Sequence, residues 1–122
     1  MRILVVDDNA DVLESMVLLL QSAGYETQTT NDGRKALAMS EQPADLLITD
    51  LFMPEADGFE LIAKFRQRWP RMKILVMSGG GTVVRGNYLA LAIRFGADAT
   101  MSKPFEPAEL FKKLEKLTPE VH

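Results

Sequence analysis

The chain has 122 residues, 47% of them hydrophobic and 25% charged, with 14 Lys+Arg against 17 Asp+Glu and a formal net charge of −3, the balance of one globular domain with one core. Cysteine is absent and the only histidine is His122, which excludes a disulfide framework, thiol chemistry, a Cys/His zinc site, a Ser-His-Asp triad and a HExxH metalloprotease. No basic footprint argues for nucleic acid, and strictly apolar runs such as Met16 to Leu20 are far too short to span a membrane.

Chemistry must therefore come from carboxylates, hydroxyls, amines and backbone. The apolar stretch after Met1-Arg2 is broken by Asp7-Asp8 too early for a signal peptide, so a cytoplasmic protein is the expectation.

Ile3-Leu4-Val5-Val6 is a continuous apolar run, as in a strand covered on both faces. Asn9-Ala10-Asp11 offers a cap, and Val12, Leu13, Met16, Val17 and Leu20 follow at helical spacing, with Gly24 just past the end. Tyr25 to Thr29 predicts a second strand, Asn31-Asp32-Gly33 a turn, and Arg34 to Glu41 a short helix. Leu46 to Thr49 predicts the third strand. Asp57-Gly58 opens a helix with Phe59, Ile62 and Phe65 on one face, stopped by Pro70. Lys73 to Met77 predicts a fourth strand, followed by a glycine-rich stretch from Ser78 to Gly86.

Tyr88, Leu89, Ala92 and Phe95 predict a fourth helix ended by Gly96, and Ala99 to Met101 a short fifth strand. Pro107 suits the first position of a last helix with Leu110, Phe111, Leu114 and Leu117 inward. Five strands alternating with five helices define an α/β fold, a doubly wound parallel sheet covered on both faces. The expected domain is 1–117, with 118–122 as a C-terminal tail and no effector domain in the chain.

Open parallel sheets bind ligands beyond the carboxyl ends of their strands. The residues there are Asp7 and Asp8 after the first strand, Asp50 after the third, Ser78 after the fourth and Lys103 after the fifth. Taken singly, each has a bland reading. Asp8 or Asn9 can cap the first helix, Ser78 can be a turn residue and Lys103 a surface lysine. Asp50 lies in Asp50-Leu51-Phe52-Met53-Pro54, read as a loop with no helix to cap. Together they put three carboxylates, a hydroxyl and an ammonium on one edge. Clustered carboxylates repel, a hard divalent cation relieves them, and an oxygen-only donor set suits Mg²⁺. With a metal held by its neighbours, one carboxylate can act as a nucleophile in phosphoryl transfer.

In this order and at these intervals the residues resemble the receiver domain of two-component response regulators, over nearly the whole chain. The match rests on Asp7-Asp8 after the first strand, Asp50 with Met53-Pro54 and Asp57-Gly58 beyond it, Ser78, and Lys103-Pro104-Phe105 after Gly96-Ala97-Asp98. The resemblance implies a flavodoxin-like five-stranded sheet in the order 2-1-3-4-5. Asp50 is then the phosphoacceptor, receiving its phosphoryl group from a phosphohistidine on a sensor histidine kinase or histidine phosphotransfer protein. Asp8, Asp50 and the backbone carbonyl of Phe52 ligate Mg²⁺, with Asp7 acting mainly through water. Lys103 and Ser78 each take a phosphoryl oxygen, and the Lys103-Pro104 peptide is cis. Output goes to a downstream protein or a homodimer through the face of the fourth helix, fifth strand and fifth helix, with no direct contact to nucleic acid or membrane.

Two features depart from the family pattern, and a third position, Phe52, bears on the lifetime of the phosphorylated state. Thr100 stands where many members carry a switching aromatic, so coupling is expected to be weakened or rerouted, with Tyr88 and Phe105 as candidate substitutes. Gly79-Gly80-Gly81 and Gly86 raise the entropic cost of order, so the segment from Gly79 to Asn87 is expected to be mobile without phosphate and the fourth helix to begin near Tyr88. Phe52, bulky and two residues after the acceptor, is expected to hinder attacking water and prolong the phosphorylated state. Two rival readings are a phosphorylation-independent scaffold and a metal-dependent small-molecule phosphatase. The latter needs an acid/base carboxylate where Phe52 stands.

Overall fold

In the computed structural model the described residues are 1–38, 44–53, 56–78 and 87–118, with residues 52–53, 56–57 and 87–89 described by backbone alone. The elements run β1 (Arg2–Val6), α1 (Ala10–Ser22), β2 (Glu26–Thr30), α2 (Gly33–Ala38), β3 (Leu46–Asp50), β4 (Phe52–Met53), β5 (Ala56–Asp57), α3 (Gly58–Arg68), β6 (Lys73–Ser78), α4 (Asn87–Phe95), β7 (Ala99–Ser102) and α5 (Pro107–Leu117). The main sheet is parallel with order β2-β1-β3-β6-β7, which is 2-1-3-4-5 when its five strands alone are counted. The order reverses direction at β1, so the carboxyl ends of β1 and β3 flank the switch point where such sheets open a crevice.

Period-two alternation splits the apolar residues between two cores. Leu4 and Val6, Leu47, and Ile74 and Val76 pack with Leu61, Ile62, Phe65 and Ala92 on the α2–α3–α4 side. Ile3 and Val5, Leu46 and Ile48, Leu75 and Met77, and Met101 pack with Met16, Leu20, Leu110, Leu114 and Leu117 on the α1–α5 side. The continuous apolar runs follow from this double coverage.

The helix ends obey local rules. Asn9 caps α1, its side-chain oxygen accepting from the backbone N–H of Asp11 and Val12 at 2.9 and 3.2 Å, so Asp8 is not the cap. Both α1 and α4 end in a paired C-terminal motif: Gly24 and Gly96 take φ of +92° and +125°, and Tyr25 and Ala97 donate back to Leu20 and Ala92. Pro107 is the first residue of α5, as expected, behind an N-cap Glu106.

Several sequence expectations are corrected. Asp50 is the last residue of β3 rather than a loop residue, and beyond Leu51 the chain folds into a short antiparallel ladder, with Phe52 opposite Asp57 and Met53 opposite Ala56. Gly58 begins α3 because nothing larger fits: a Cβ there would overlap the carbonyl of Leu51. Phe95 lies at the end of α4 and is 46% exposed, its ring tilted against Phe59 at 5.2 Å between centroids. Phe111 is only half-buried. Helix α2 ends at Ala38 among the described residues, and the expectation for the segment from Gly79 to Gly86 falls outside them; α4 is described from Asn87.

Candidate functional site

The alternation that builds the core also aims the site. Val5, Ile48 and Met101 belong to the core under α1 and α5, and the residues two positions further along are Asp7, Asp50 and Lys103, which continue on that side. Ladder register levels them. Val6 is opposite Thr49, Asp50 opposite Met77, and Met77 opposite Met101. Ser78, two beyond Val76 of the other core, ends β6 opposite Ser102, and its carbonyl accepts from the backbone N–H of Lys103 at 2.8 Å.

Burial raises the stakes. Asp7 is fully buried and Asp50 is 6% exposed, where an uncompensated carboxylate would cost several kcal/mol, roughly. The Lys103 ammonium supplies the compensation, donating to Asp7 Oδ2 at 2.6 Å and standing 3.3 Å from Asp50 Oδ2. Asp7 is held from the other side as well, its Oδ1 accepting from the backbone N–H of Asn9 at 2.9 Å. Burial by itself lowers the pKa of Lys103. The hydrogen bond to Asp7 and the nearby charges of Asp50 and Asp7 outweigh it and hold the pKa above its ordinary value.

Asp8 is exposed at the mouth of the site, and one oxygen from each of Asp7, Asp8 and Asp50 falls in a group whose members all lie within 4.8 Å of one another. Three carboxylates against one ammonium leave a formal charge of −2 on four groups. A divalent cation cancels that, and a donor set made only of oxygen fits a hard ion such as Mg²⁺. Beside the site, Asp11, Val12, Ser15, Met16 and Leu19 of α1 face Lys103, Pro104 and Phe105 across a mostly apolar groove of about 540 Å³. The Lys103-Pro104 peptide is cis.

All five strand-end residues named from the sequence therefore lie at the carboxyl edge of the sheet, with Asp7, Asp8, Asp50 and Lys103 brought together. The Ser78 hydroxyl makes no hydrogen bond among the described residues, and it is half-buried. Thr100 is half-buried on β7 opposite Val76. Of its candidate substitutes, Phe105 packs against the core on the α1–α5 side, whereas alternation from Met101 puts Thr100 on the other. The side chains of Phe52 and Tyr88 lie outside the described residues.

Sequence reasoning missed the close approach of Leu51 and Gly58 and the Asn9 N–H to Asp7 bond. It also missed an Arg66 hub at the opposite edge, where the guanidinium donates to the carbonyls of Pro70, Met72 and Gly96 and pairs with Asp98 at 2.7 Å. Only the Gly in Asp57-Gly58 left a signal that a tight contact was needed.

The chain belongs to the response regulator receiver domain family, whose model matches residues 3–115; it is a receiver of the two-component type with the fold of CheY-like proteins. It is 33% identical to the response regulator receiver protein CpdR of Brucella abortus, over 95% of each chain. Its structure is similar to that of the chemotaxis response regulator CheY4 of Vibrio cholerae (TM-score 0.83, 31% identity, 96% of this chain and 98% of that one). A CheY-like receiver domain protein of Methanospirillum hungatei is equally near (TM-score 0.85, 31% identity, 95% and 92%). Several other curated relatives, transcriptional regulatory proteins among them, are matched over only about half of their own length. Among the described residues no helix is long and apolar enough to cross a membrane.

Proposed function

We propose that the chain is a phosphorylation switch in which Asp50 accepts a phosphoryl group from a phosphohistidine. The observation that carries this reading is the buried Asp50 carboxylate, close to Asp7 and Asp8 and within 3.3 Å of the Lys103 ammonium. A carboxylate oxygen of Asp50 forms the new O–P bond as the P–N bond of the donor breaks, and the electron pair returns to the imidazole. Negative charge then builds on the phosphoryl oxygens, and Lys103 is already placed on Asp50 to meet it. The Ser78 hydroxyl, which makes no hydrogen bond among the described residues, is the group on hand to hydrogen-bond another of those oxygens.

Asp8, Asp50 and the Phe52 carbonyl are the residues that would hold Mg²⁺, with Asp7 acting through water and through its bond to Lys103. Such an ion, when bound, supplies charge neutralisation to the moving phosphoryl group. The donor is a sensor histidine kinase or a histidine phosphotransfer protein, and the apolar groove between α1 and Phe105 offers it a seat beside the acceptor. Output is by a downstream protein or a second copy on the face of α4, β7 and α5, and the only chemistry catalysed is the protein's own phosphorylation and dephosphorylation.

Incubation with acetyl phosphate and Mg²⁺ should add one phosphoryl mass to the intact chain, and Asp50→Ala should abolish the addition. Labelling that persists in Asp50→Ala would overturn the assignment. No labelling of the wild type by acetyl phosphate or by any kinase would leave an interaction scaffold, and turnover of external phosphoesters would indicate a phosphatase. The bulk of Phe52 should slow hydrolysis, so Phe52→Asn is expected to shorten the phosphorylated lifetime; an unchanged lifetime removes that role.

A further inference from the structure

The formal charge of −3 conceals a strong segregation. Residues 61–97 contain seven Lys or Arg and no Asp or Glu, so this stretch carries +7 and the remainder −10. The fold gathers much of the positive part at the amino edge of the sheet, away from Asp50. Arg68 ends α3, Arg71 lies in the following turn, Lys73 begins β6 and Arg94 is in the last turn of α4. The Arg66 hub draws them together, because its guanidinium holds the carbonyls of Pro70, Met72 and Gly96 within 3.1 Å. Arg71 lies between the first two, Lys73 follows them, and Arg94 is two residues before the third.

Part of this charge has a local explanation. Cations at the carboxyl ends of α3 and α4 offset the helix dipoles. Arg66 and Arg94 suffice for that, and Arg71 and Lys73 lie on neither helix. Arg71, Lys73 and Arg94 are exposed and make no ion pair among the described residues. The nearby acids do not offset them in full. Among the described residues Asp98 is engaged by Arg66, Glu26 stands 3.7 Å from the Arg2 guanidinium, and the Asp45 carboxylate accepts from the backbone N–H of Arg2 at 2.8 Å.

Trp69 lies between Arg68 and Arg71 in the chain, half-buried against Phe65 at 5.1 Å, with the Arg68 guanidinium 4.9 Å above its ring. A partly buried aromatic ring under an arginine, in a segment with further exposed cations, has the composition of an interface hot spot. We propose that this edge is a second docking surface, for a short carboxylate-rich segment of a partner protein. The partner is short and acidic because the patch is small. The rest of the chain carries a formal −10, which would repel a long polyanion running past the patch. The surface is remote from Asp50, and the proposal does not rest on the phosphoacceptor reading.

Trp69 is the only tryptophan and reports directly. The full chain is titrated with a short polyglutamate peptide at low ionic strength while Trp69 emission is followed. Saturable binding is expected, weakened about tenfold or more in Arg71→Glu/Lys73→Glu and in Arg94→Glu, and unchanged in Lys35→Glu on α2. Thermal melts of each variant establish that it is folded, and Arg71→Gln provides a milder replacement. Absence of binding, or equal loss in the α2 control, overturns the proposal. Tighter binding of a DNA duplex or of phosphatidylserine vesicles through the same residues also overturns it, in favour of that other class of partner.

Discussion

At the amino edge of the sheet, Arg66 donates to three carbonyls and pairs with Asp98, which in turn accepts from the backbone N–H of Ile74. At the carboxyl edge, one ammonium, Lys103, stands among three carboxylates, two of them buried. Both are charged clusters at strand ends of one sheet. The first is matched donor for acceptor and locks β6 to the ends of α3 and α4. The second is left with excess negative charge, so it gains by taking up a cation and can change state when a phosphoryl group arrives. Charge that is satisfied holds a fold together; charge left in excess is available for chemistry.

Removing the satisfied cluster should have the larger effect on stability. Arg66→Ala strips partners from the carbonyls of Met72 and Gly96 and from Asp98, and should cost about 2–4 kcal/mol. Urea unfolding checks this, and a loss below the usual surface-substitution scatter of ~0.5 kcal/mol would mean that the hub is not what joins those elements. At the carboxyl edge the expected change has the opposite sign. Mg²⁺ at about ten times its dissociation constant should add about 1.4 kcal/mol by mass action, and Asp8→Asn should reduce that gain while leaving the metal-free protein folded, since Asp8 is exposed. Melting curves with and without Mg²⁺ decide it.

The smallest effect is the pH dependence carried by Lys103. Its folded pKa is raised above the ordinary 10.5, so its stabilisation is fully present below the unfolded pKa and is lost as pH rises through the folded one. Lys103→Gln should therefore be less stable than wild type at neutral pH, with the gap closing at the alkaline end. A gap that stays constant through the titration of lysine would show that packing, rather than charge, holds that side chain.

How much of this was legible in the sequence depends on the range of the interaction. Ile3 to Val6, Leu46 to Thr49 and Lys73 to Met77 announced parallel strands because each must be apolar on both faces, and the residues after them announced a site because a parallel sheet aligns its carboxyl ends. Gly24, Gly96 and Pro107 marked helix boundaries by backbone rules that act within a few residues.

Other features depended on distant partners. The exposed Phe95, the ladder of β4 with β5, and the Leu51 carbonyl that excludes a Cβ at Gly58 have no local signature. Arg66 and Asp98 are 32 residues apart, Lys103 and Asp7 96. The sequence alone therefore determined the kind of fold and the chemical inventory at its active edge, because periodicity and turn chemistry are short-range. Only the tertiary structure decided which carboxylates are buried, which one Lys103 holds more closely, and where the positive half of a nearly neutral chain collects, because burial and pairing arise from segments that meet only after folding.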